Sequence, residues 1–247
     1  MISSVISNKP YLALNCAEER IQVVLGTAQG LMFSEEVLCP GQSIRHLPTA
    51  IERALKVHGL AVKDLAGIAC VRGPGSFTGL RIAHATMYGL ARPFSIPMAG
   101  LEYPAILAAQ AAPFVHGELW VLTYARKAQV YIQGFAGNLP LGPIRPLPVS
   151  EARTLLQARP SKPSLLGSGV RKNPELHELP GSTILPPSLD TPMPATLLHA
   201  ACAAQYSTQA PAPLYLRKSD AEDNLEAIAQ ARGIPAAEAR KHIHDFE

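Results

Sequence analysis

The sequence predicts an α/β protein built from two lobes of related architecture. In each half, strand-like apolar or alternating runs come first, and a helix, a short strand and a second helix follow them. The chain has 247 residues, 47% of them apolar and 17% charged, so it can bury two cores of domain size. We therefore expect a first lobe over residues 1–112, a second lobe over 113–219 and a helical tail over 220–247.

The first lobe begins with three strand-like runs separated by polar or glycine-containing breaks, the pattern of an antiparallel meander. A helix follows, because apolar residues recur at helical spacing until Gly59. A continuous apolar run then predicts a buried strand, and a small-residue helix, a short strand and a further helix complete the lobe. The predicted ranges are Tyr11–Leu14, Ile21–Leu25, Leu31–Val37, Ser43–Val57, Leu65–Val71, Gly79–Ala91, Ile96–Ala99 and Leu101–Ala112.

The second lobe repeats this order after Pro113 as a hairpin, a helix, a short strand and a last helix. Most of the 23 prolines fall in this half, so we expect long extended connections there. Apolar residues at helical spacing also predict two helices in the tail. The predicted ranges are Glu118–Tyr124, Gln129–Phe135, Ser150–Ala158, Ser164–Leu166, Pro194–Gln205, Asp220–Arg232 and Pro235–Ile243.

Composition and charge argue against several classes of protein. A net charge of +3, from 22 basic and 19 acidic residues, does not indicate a surface that coats nucleic acid. No apolar run approaches the roughly 20 residues that cross a bilayer, and Met1–Pro10 lacks the pattern of a signal peptide. We therefore expect a cytoplasmic protein with no membrane partner. The cysteines are far apart and should be reduced and buried: Cys16, Cys39, Cys70 and Cys202.

The segment Val71–Pro93, VRGPGSFTGLRIAHATMYGLARP, is the most informative part of the chain. A strand end, a Gly–Pro–Gly turn and a helix start would leave backbone N–H groups free for an anion. The segment matches neither GxxxxGK[ST] nor GxGxxG, however. One alternative is a structural turn, in which Gly73 and Gly75 adopt angles closed to other residues and Ser76 or Thr78 caps the helix. The other alternative is a loop that orients an interface helix.

The helix after this loop is small and apolar on most sides, which predicts that it is covered nearly all round. One side would pack on its own sheet and another on a second protein. His84 and Tyr88 are four residues apart and would supply polar and aromatic contacts. The candidate contact residues on or beside the helix are Ser76, Phe77, Thr78, Leu80, Arg81, His84, Thr86 and Tyr88.

GPGSFTGLR, followed by a small-residue helix that ends in GLA, closely resembles the signature of the TsaB (YeaZ) family of bacterial tRNA threonylcarbamoyladenosine synthesis. The resemblance extends over most of the chain. YLALNCA resembles the family's first strand, His46 its first-helix histidine, YARKAQVYI its later hairpin and LYLR its last strand. It implies an actin-like, Hsp70-like ATPase fold of two RNase-H-like lobes.

The resemblance also implies a subunit with no catalysis, cofactor or metal of its own. Such a subunit binds TsaD, the threonylcarbamoyl transferase, as a direct heterodimer through helices of the first lobe. The ATPase TsaE joins that pair with ATP, and tRNA is engaged only through the complex. Without TsaD, we expect the same exposed face to support a weak homodimer.

Departures from the family pattern point to a degenerate nucleotide cleft near Asn15, Gly73 and Gly75. Asn15 stands where actin-like ATPases carry the aspartate that organises a metal–nucleotide complex, and a neutral amide is a poorer magnesium ligand. Tyr124 replaces a usual aspartate. Ala83 replaces a usual glycine, which would change the approach of a partner helix.

Catalytic alternatives have less support in the residues. A metalloprotease would need HExxH or a similar pair on a helix, whereas His242 and His244 lie at the chain end without a further ligand nearby. Ser76 does not lie in a GxSxG motif. An actin-like-fold small-molecule kinase and a nucleotide-binding module remain the alternative functions, with a direct tRNA-binding protein as a third.

Overall fold

The structure is a computed structural model, and it describes residues 9–216. A five-stranded sheet organises the first half, in the order β3-β2-β1-β4-β5. β1 to β3 form the predicted antiparallel meander, whereas β4 and β5 run parallel to β1. The strands are Tyr11–Asn15 (β1), Arg20–Thr27 (β2), Gly30–Leu38 (β3), Gly67–Gly73 (β4) and Met98–Glu102 (β5).

A second sheet follows in the order β11-β10-β6-β7-β8, with β9 also paired to β7. The predicted hairpin and the short strand after it are confirmed as β6, β7 and β10. The sequence analysis missed β8, β9 and β11, because they have only two to four residues and two of them contain proline. The strands are Glu118–Arg126 (β6), Gln129–Ala136 (β7), Leu139–Pro140 (β8), Arg145–Pro148 (β9), Ser164–Leu166 (β10) and Thr183–Ile184 (β11).

Six α-helices connect these strands within the described residues, and five of them were predicted to within two residues at each end. The exception, α5, is a single turn of four residues, too short to show periodicity. The helices are Ser43–Val57 (α1), Phe77–Ala91 (α2), Tyr103–Ala111 (α3), Val149–Gln157 (α4), Ser168–Arg171 (α5) and Pro194–Ala203 (α6).

Three apolar cores separate these layers. On one face of the first sheet, Leu12 of β1 packs in a core with Leu47 of α1 and Met87 of α2. The neighbouring Ala13 points to the other face, where α3 and α6 meet both this sheet and Leu119 of the second sheet. A third core lies between the second sheet and α4. β1 is therefore buried on both faces, which explains its uninterrupted apolar sequence.

Several predictions about organisation are not tested by the structure. The described residues up to Leu214 form one compact unit, so the lobe boundary after residue 112 stays a prediction. The tail over residues 220–247, with its two predicted helices, His242 and His244, lies outside the described residues. Between residues 9 and 216, no helix has the length and apolar character to cross a membrane.

The thiols have the environments that the sequence analysis expected, with one exception. Cys16, Cys39 and Cys70 are buried and free, whereas Cys202 on α6 is only partly buried. Cys16 and Cys70 lie in the core between the first sheet and helices α1 and α2. They act there as small apolar residues.

Two adjacent residues of α2 test which face of this helix carries stability. Met87 is completely buried and Tyr88 is 44% exposed. We expect Met87→Ala to lower the free energy of unfolding by about 2–4 kcal/mol, because it leaves a cavity in the core. Tyr88→Ala should cost less than about 1 kcal/mol. Chemical denaturation of both variants measures the difference, and equal losses would contradict this orientation of the helix.

Candidate functional site

The loop before α2 packs against the turn between β1 and β2. The backbone N–H of Ser76 donates a hydrogen bond to the carbonyl oxygen of Ala17, at 2.6 Å. A Cβ atom on Gly75 would overlap this same carbonyl, and one on Gly79 would overlap the carbonyl oxygen of Cys16. Both glycines are therefore required because two backbone segments approach each other closely.

Gly73 and Ser76 shape the two ends of the same loop. Gly73 ends β4 with a φ of +125°, a conformation that other residues rarely adopt, and its peptide bond to Pro74 is cis. Ser76 is the N-cap of α2, because its Oγ accepts a hydrogen bond from the Gly79 N–H at 3.2 Å. Thr78, the other capping candidate, is exposed and lies inside the first turn.

The start of α2 is occupied by groups of the protein itself. The amide of Ser76 is bound to Ala17, and the amide of Gly79 to the Ser76 hydroxyl. An anion at this helix start would need such amides. In this structure two of the amides at the helix start are thus bound by the chain's own groups.

α2 has one face in the core and one exposed, so the chain itself covers only the side that was expected to pack on its own sheet. The exposed side includes a surface that we call the α2 outer face. This surface consists of Ser76, Thr78, Arg81, Ala85 and Tyr88, all exposed. The buried side consists of Gly79, Leu80, Ala83, His84, Met87 and Ala91.

Leu80, which was assigned to the partner contact, and Ala83, which was expected to affect the approach of a partner helix, both face the protein's own interior. Leu80 is 1% exposed and packs in the core that includes Val71 and Tyr103, so it does not reach the surface. Ala83 is completely buried in the core shared with α1. The expectation that Ala83 changes the approach of a partner helix is therefore wrong. The sequence analysis assigned Leu80 to the contact because an apolar helix does not reveal which face its own sheet covers.

His84 lies at the edge between the two faces. It is 9% exposed, and its Nδ1 lies 2.8 Å from the carbonyl oxygen of Leu80. Burial lowers the pKa of this imidazole, and nearby Arg72 acts in the same direction. The ring is therefore neutral with Nδ1 as the donor, and its buried Nε2 has no hydrogen-bond partner among the described residues.

The remaining predicted contact residues lie on or beside the α2 outer face. The guanidinium of Arg81 lies 3.9 Å from the centre of the Phe77 ring, a cation–π contact that orders both side chains. Thr86 and Phe77 are partly buried. Tyr88, 44% exposed, provides the large aromatic surface of this side of the helix.

Asn15 is fully engaged inside the protein. Its side chain lies at the end of β1 and is 2% exposed. Its Oδ1 accepts a hydrogen bond from the Ala17 N–H at 2.9 Å, and its Nδ2 donates one to Gln22 Oε1 at 2.8 Å. Gln22 in turn donates to the carbonyl oxygen of Pro192, at 2.7 Å. The amide that replaces the expected aspartate thus links β1, β2 and the segment before α6. Within residues 9–216, no three His, Cys, Asp or Glu side chains form a group that could hold a metal ion.

Two carboxylates follow Asn15 in the β1–β2 turn, and the sequence analysis did not single them out. Glu18 accepts a hydrogen bond from the Ser168 hydroxyl, and Glu19 forms an ion pair with Lys172 at 2.7 Å. Burial raises the pKa of Glu18 to about 7, although the Ser168 hydrogen bond and Lys172 act to lower it. One feature of the sequence could have identified them: two acidic residues follow directly after the first strand, where the resemblance places a nucleotide.

Comparisons with known proteins give three sequence matches. A family model described as TsaD, tRNA N6-adenosine threonylcarbamoyltransferase, matches residues 39–138. The tRNA threonylcarbamoyladenosine biosynthesis protein TsaB of Escherichia coli is 33% identical over 122 residues, which is 49% of this chain and 52% of that protein. The comparisons support the TsaB (YeaZ) family for this chain. A tRNA N6-adenosine threonylcarbamoyltransferase of Desulfitobacterium hafniense is 28% identical over 161 residues, 60% of this chain and 47% of that protein.

Solved structures establish the fold. YeaZ from Pseudomonas aeruginosa matches with a TM-score of 0.63 at 24% identity, covering 94% of this chain and 97% of that one. A P. aeruginosa protein described as similar to the peptidase YeaZ matches with a TM-score of 0.69 at 24% identity, covering 85% and 100%. The chain therefore has the mixed α/β fold of YeaZ. Its match spans about half the length of the curated relatives.

The contact between the loop and the β1–β2 turn can be tested with two glycines of α2. We expect Gly79→Ala to destabilise the protein by about 2–4 kcal/mol, because the added methyl group would collide with the carbonyl of Cys16. Gly89 has open space around its Cβ position, so Gly89→Ala should be neutral or stabilising by up to about 1 kcal/mol. Thermal and chemical unfolding compare the two variants. Equal tolerance of both would show that the loop does not need this close approach.

The protonation of Glu18 predicts a pH dependence of stability. The folded-state pKa of about 7 lies above the ordinary value of 4.5, so the folded protein binds this proton more tightly than the unfolded chain. The stabilisation is present below pH 4.5 and is lost as the pH rises through 7. We expect Glu18→Gln to remove this loss, so that its stability relative to wild type rises by about 1–3 kcal/mol between pH 5 and pH 8. Urea unfolding at pH 5 and pH 8 measures the free energy of unfolding of both proteins. The same difference between variant and wild type at the two pH values would contradict the raised pKa of Glu18.

Proposed function

We propose that this chain is a non-catalytic subunit of the bacterial tRNA threonylcarbamoyladenosine synthesis complex, and that it binds and activates TsaD. The observation that carries the proposal is the state of the GPGSFTGLR segment. Its helix start is closed by the chain's own backbone, whereas the α2 outer face is exposed. A loop with this geometry orients a helix instead of holding a ligand.

The environment around Asn15 supports the absence of catalysis. Both polar groups of the amide have partners within the protein. The adjacent Glu18 and Glu19 also have partners within the chain, Ser168 and Lys172. A kinase or a nucleotide-binding module would use a carboxylate at this strand end to hold magnesium, and Asn15 does not provide one. The chemistry would then belong to TsaD and TsaE.

The α2 outer face has the character of a protein contact. It combines small residues, which allow a second helix to approach closely, with Tyr88 and the Arg81–Phe77 stack. Tyrosine and arginine are enriched among the residues that contribute most to binding. In the absence of TsaD, a second copy of this chain would bind the same face and form a weak homodimer.

Activation would follow from preferential binding. If this chain binds one conformation of TsaD more tightly than others, it shifts TsaD toward that conformation without contributing a catalytic group. TsaE would join the pair with ATP, tRNA would be bound by the complex as a whole, and the assembly would operate in the cytoplasm. Gly75 and Gly79 would serve this role indirectly, because they fix the direction in which α2 leaves the sheet.

A charge on the α2 outer face tests the interface. We expect Tyr88→Asp to weaken the affinity for TsaD by more than about tenfold, because a carboxylate would be desolvated in the contact. Gln157→Asp makes the same change in charge on the exposed surface of α4 and should leave the affinity unchanged. Calorimetric titration against TsaD measures both. Equal affinities for the two variants would exclude this face.

The subunit role itself is tested by reconstitution. TsaD, TsaE, threonylcarbamoyl-adenylate and unmodified tRNA are mixed with and without this chain, and modified adenosine is measured. We expect modification to depend on the chain, and to be reduced with Tyr88→Asp but not with Gln157→Asp. Equal modification in both mixtures would contradict the role, and consumption of the adenylate by this chain alone would show that it is an enzyme.

A further inference from the structure

The β1–β2 turn contacts two separate parts of the molecule through adjacent residues. The carbonyl oxygen of Ala17 accepts the Ser76 N–H at the start of α2. The side chain of Glu18, the next residue, accepts a hydrogen bond from Ser168 at the start of α5, in the second half of the chain. Ala17 and Glu18 share a peptide bond, so the two contacts are made by adjacent residues of one turn.

Ser168 is held in place by further hydrogen bonds within the second half of the chain. Its hydroxyl oxygen also accepts the backbone N–H of Tyr124 at 2.9 Å. The preceding residue, Gly167, donates its N–H to Asp190 at 2.8 Å, and Arg171 at the end of α5 forms an ion pair with Asp190 at 2.7 Å. The hydroxyl of Ser168 is therefore held in one position, and Glu18 is the member of the pair whose protonation can change.

The groups around Glu18 leave it without a direct cation. Lys172 pairs with Glu19 instead and lies 4.6 Å from the centre of the Tyr124 ring. The Tyr103 hydroxyl, on α3, lies 3.4 Å from Glu18 Oε2 and remains protonated, because burial raises its pKa well above 10. Asp190 adds negative charge nearby, which raises the pKa of Glu18 further. Burial is the main cause that raises the pKa of Glu18 to about 7, and Asp190 adds to it, whereas Lys172 and the hydrogen bonds from Ser168 and Tyr103 act to lower it.

We propose that Glu18 is a positioning residue that couples the segment around Ser168 to the start of α2, and that the Glu18–Ser168 contact determines how firmly the loop at residues 75–80 is held. Burial in the partly buried turn costs neutral Glu18 less solvation free energy than it costs the ionised form. Ionised Glu18 favours conformations in which the turn opens toward water. The loop is then held more firmly at pH 6 than at pH 8. Where it concerns TsaD, this inference rests on the proposed function.

Hydrogen exchange tests the coupling in the isolated protein. The amides of Ser76, Gly79 and Leu80 are bound within the loop, so their protection reports its opening. After correction for intrinsic rates, we expect protection in the wild type to fall by up to about tenfold from pH 6 to pH 8, the change given by one carboxyl group whose pKa shifts from 4.5 to about 7. Glu18→Gln should keep similar protection at both values.

Two further variants separate coupling from general loosening. Glu19→Gln removes the neighbouring carboxylate, which does not contact Ser168, and should retain the pH dependence of the wild type. Ser168→Ala removes the hydroxyl and should lower protection in the loop although it lies in the other half of the chain. If Ser168→Ala does not fold, Glu18→Gln, which preserves the volume of the side chain, still decides the matter. The same pH dependence in Glu18→Gln as in the wild type would overturn the proposal.

The affinity for TsaD separates this inference from the proposed function. If the protection of the loop amides and the affinity for TsaD both change between pH 6 and pH 8, the coupling and the proposed function are both supported. If protection changes in Glu18→Gln but affinity does not, the coupling is supported and the start of α2 is not part of the TsaD contact. If affinity depends on Tyr88 while loop protection is insensitive to Glu18, the interface stands and the coupling is wrong.

Discussion

The close contact between the β1–β2 turn and the start of α2 is the constraint on which the site depends. Two carbonyl groups, of Cys16 and Ala17, lie where side chains at residues 75 and 79 would be. Only glycine allows this approach, and the Ser76 amide completes it with a hydrogen bond. The direction of α2, the closure of its anion-binding end and the placement of Glu18 all follow from this contact.

The polar groups at the end of β1, where the resemblance places a nucleotide, have partners within the chain itself. Asn15 uses its amide to tie two strands together, and the carboxylates of the turn contact Ser168 and Lys172. In an actin-like ATPase, as the resemblance implies, a metal–nucleotide complex would lie at this strand end. Here internal hydrogen bonds and one ion pair link the same elements. Among these contacts, the one between Glu18 and Ser168 involves a carboxyl group whose pKa is raised by burial.

Burial and exposure divide α2 into a structural part and a part available for recognition. Met87 and Ala83 hold the helix on its sheet, whereas Arg81 and Tyr88 remain outside. His84 lies between them, neutral because of its burial. A change on the buried side would thus act on the fold, and one on the outer face on association, although both fall within a single apolar segment.

The sequence by itself determined the order of the elements, the two-part α/β architecture and the resemblance carried by GPGSFTGLR, because period, breakers and glycine positions are local properties. It also predicted that Ser76 could cap α2. Tertiary structure alone decided that Leu80 and Ala83 face inward, because a helix that is apolar on most sides does not specify which face its sheet covers. It also decided the role of Glu18, whose partner lies 150 residues away in the chain. Short strands such as β8 and β11 form only because an existing strand pairs with them, so no local pattern marks them.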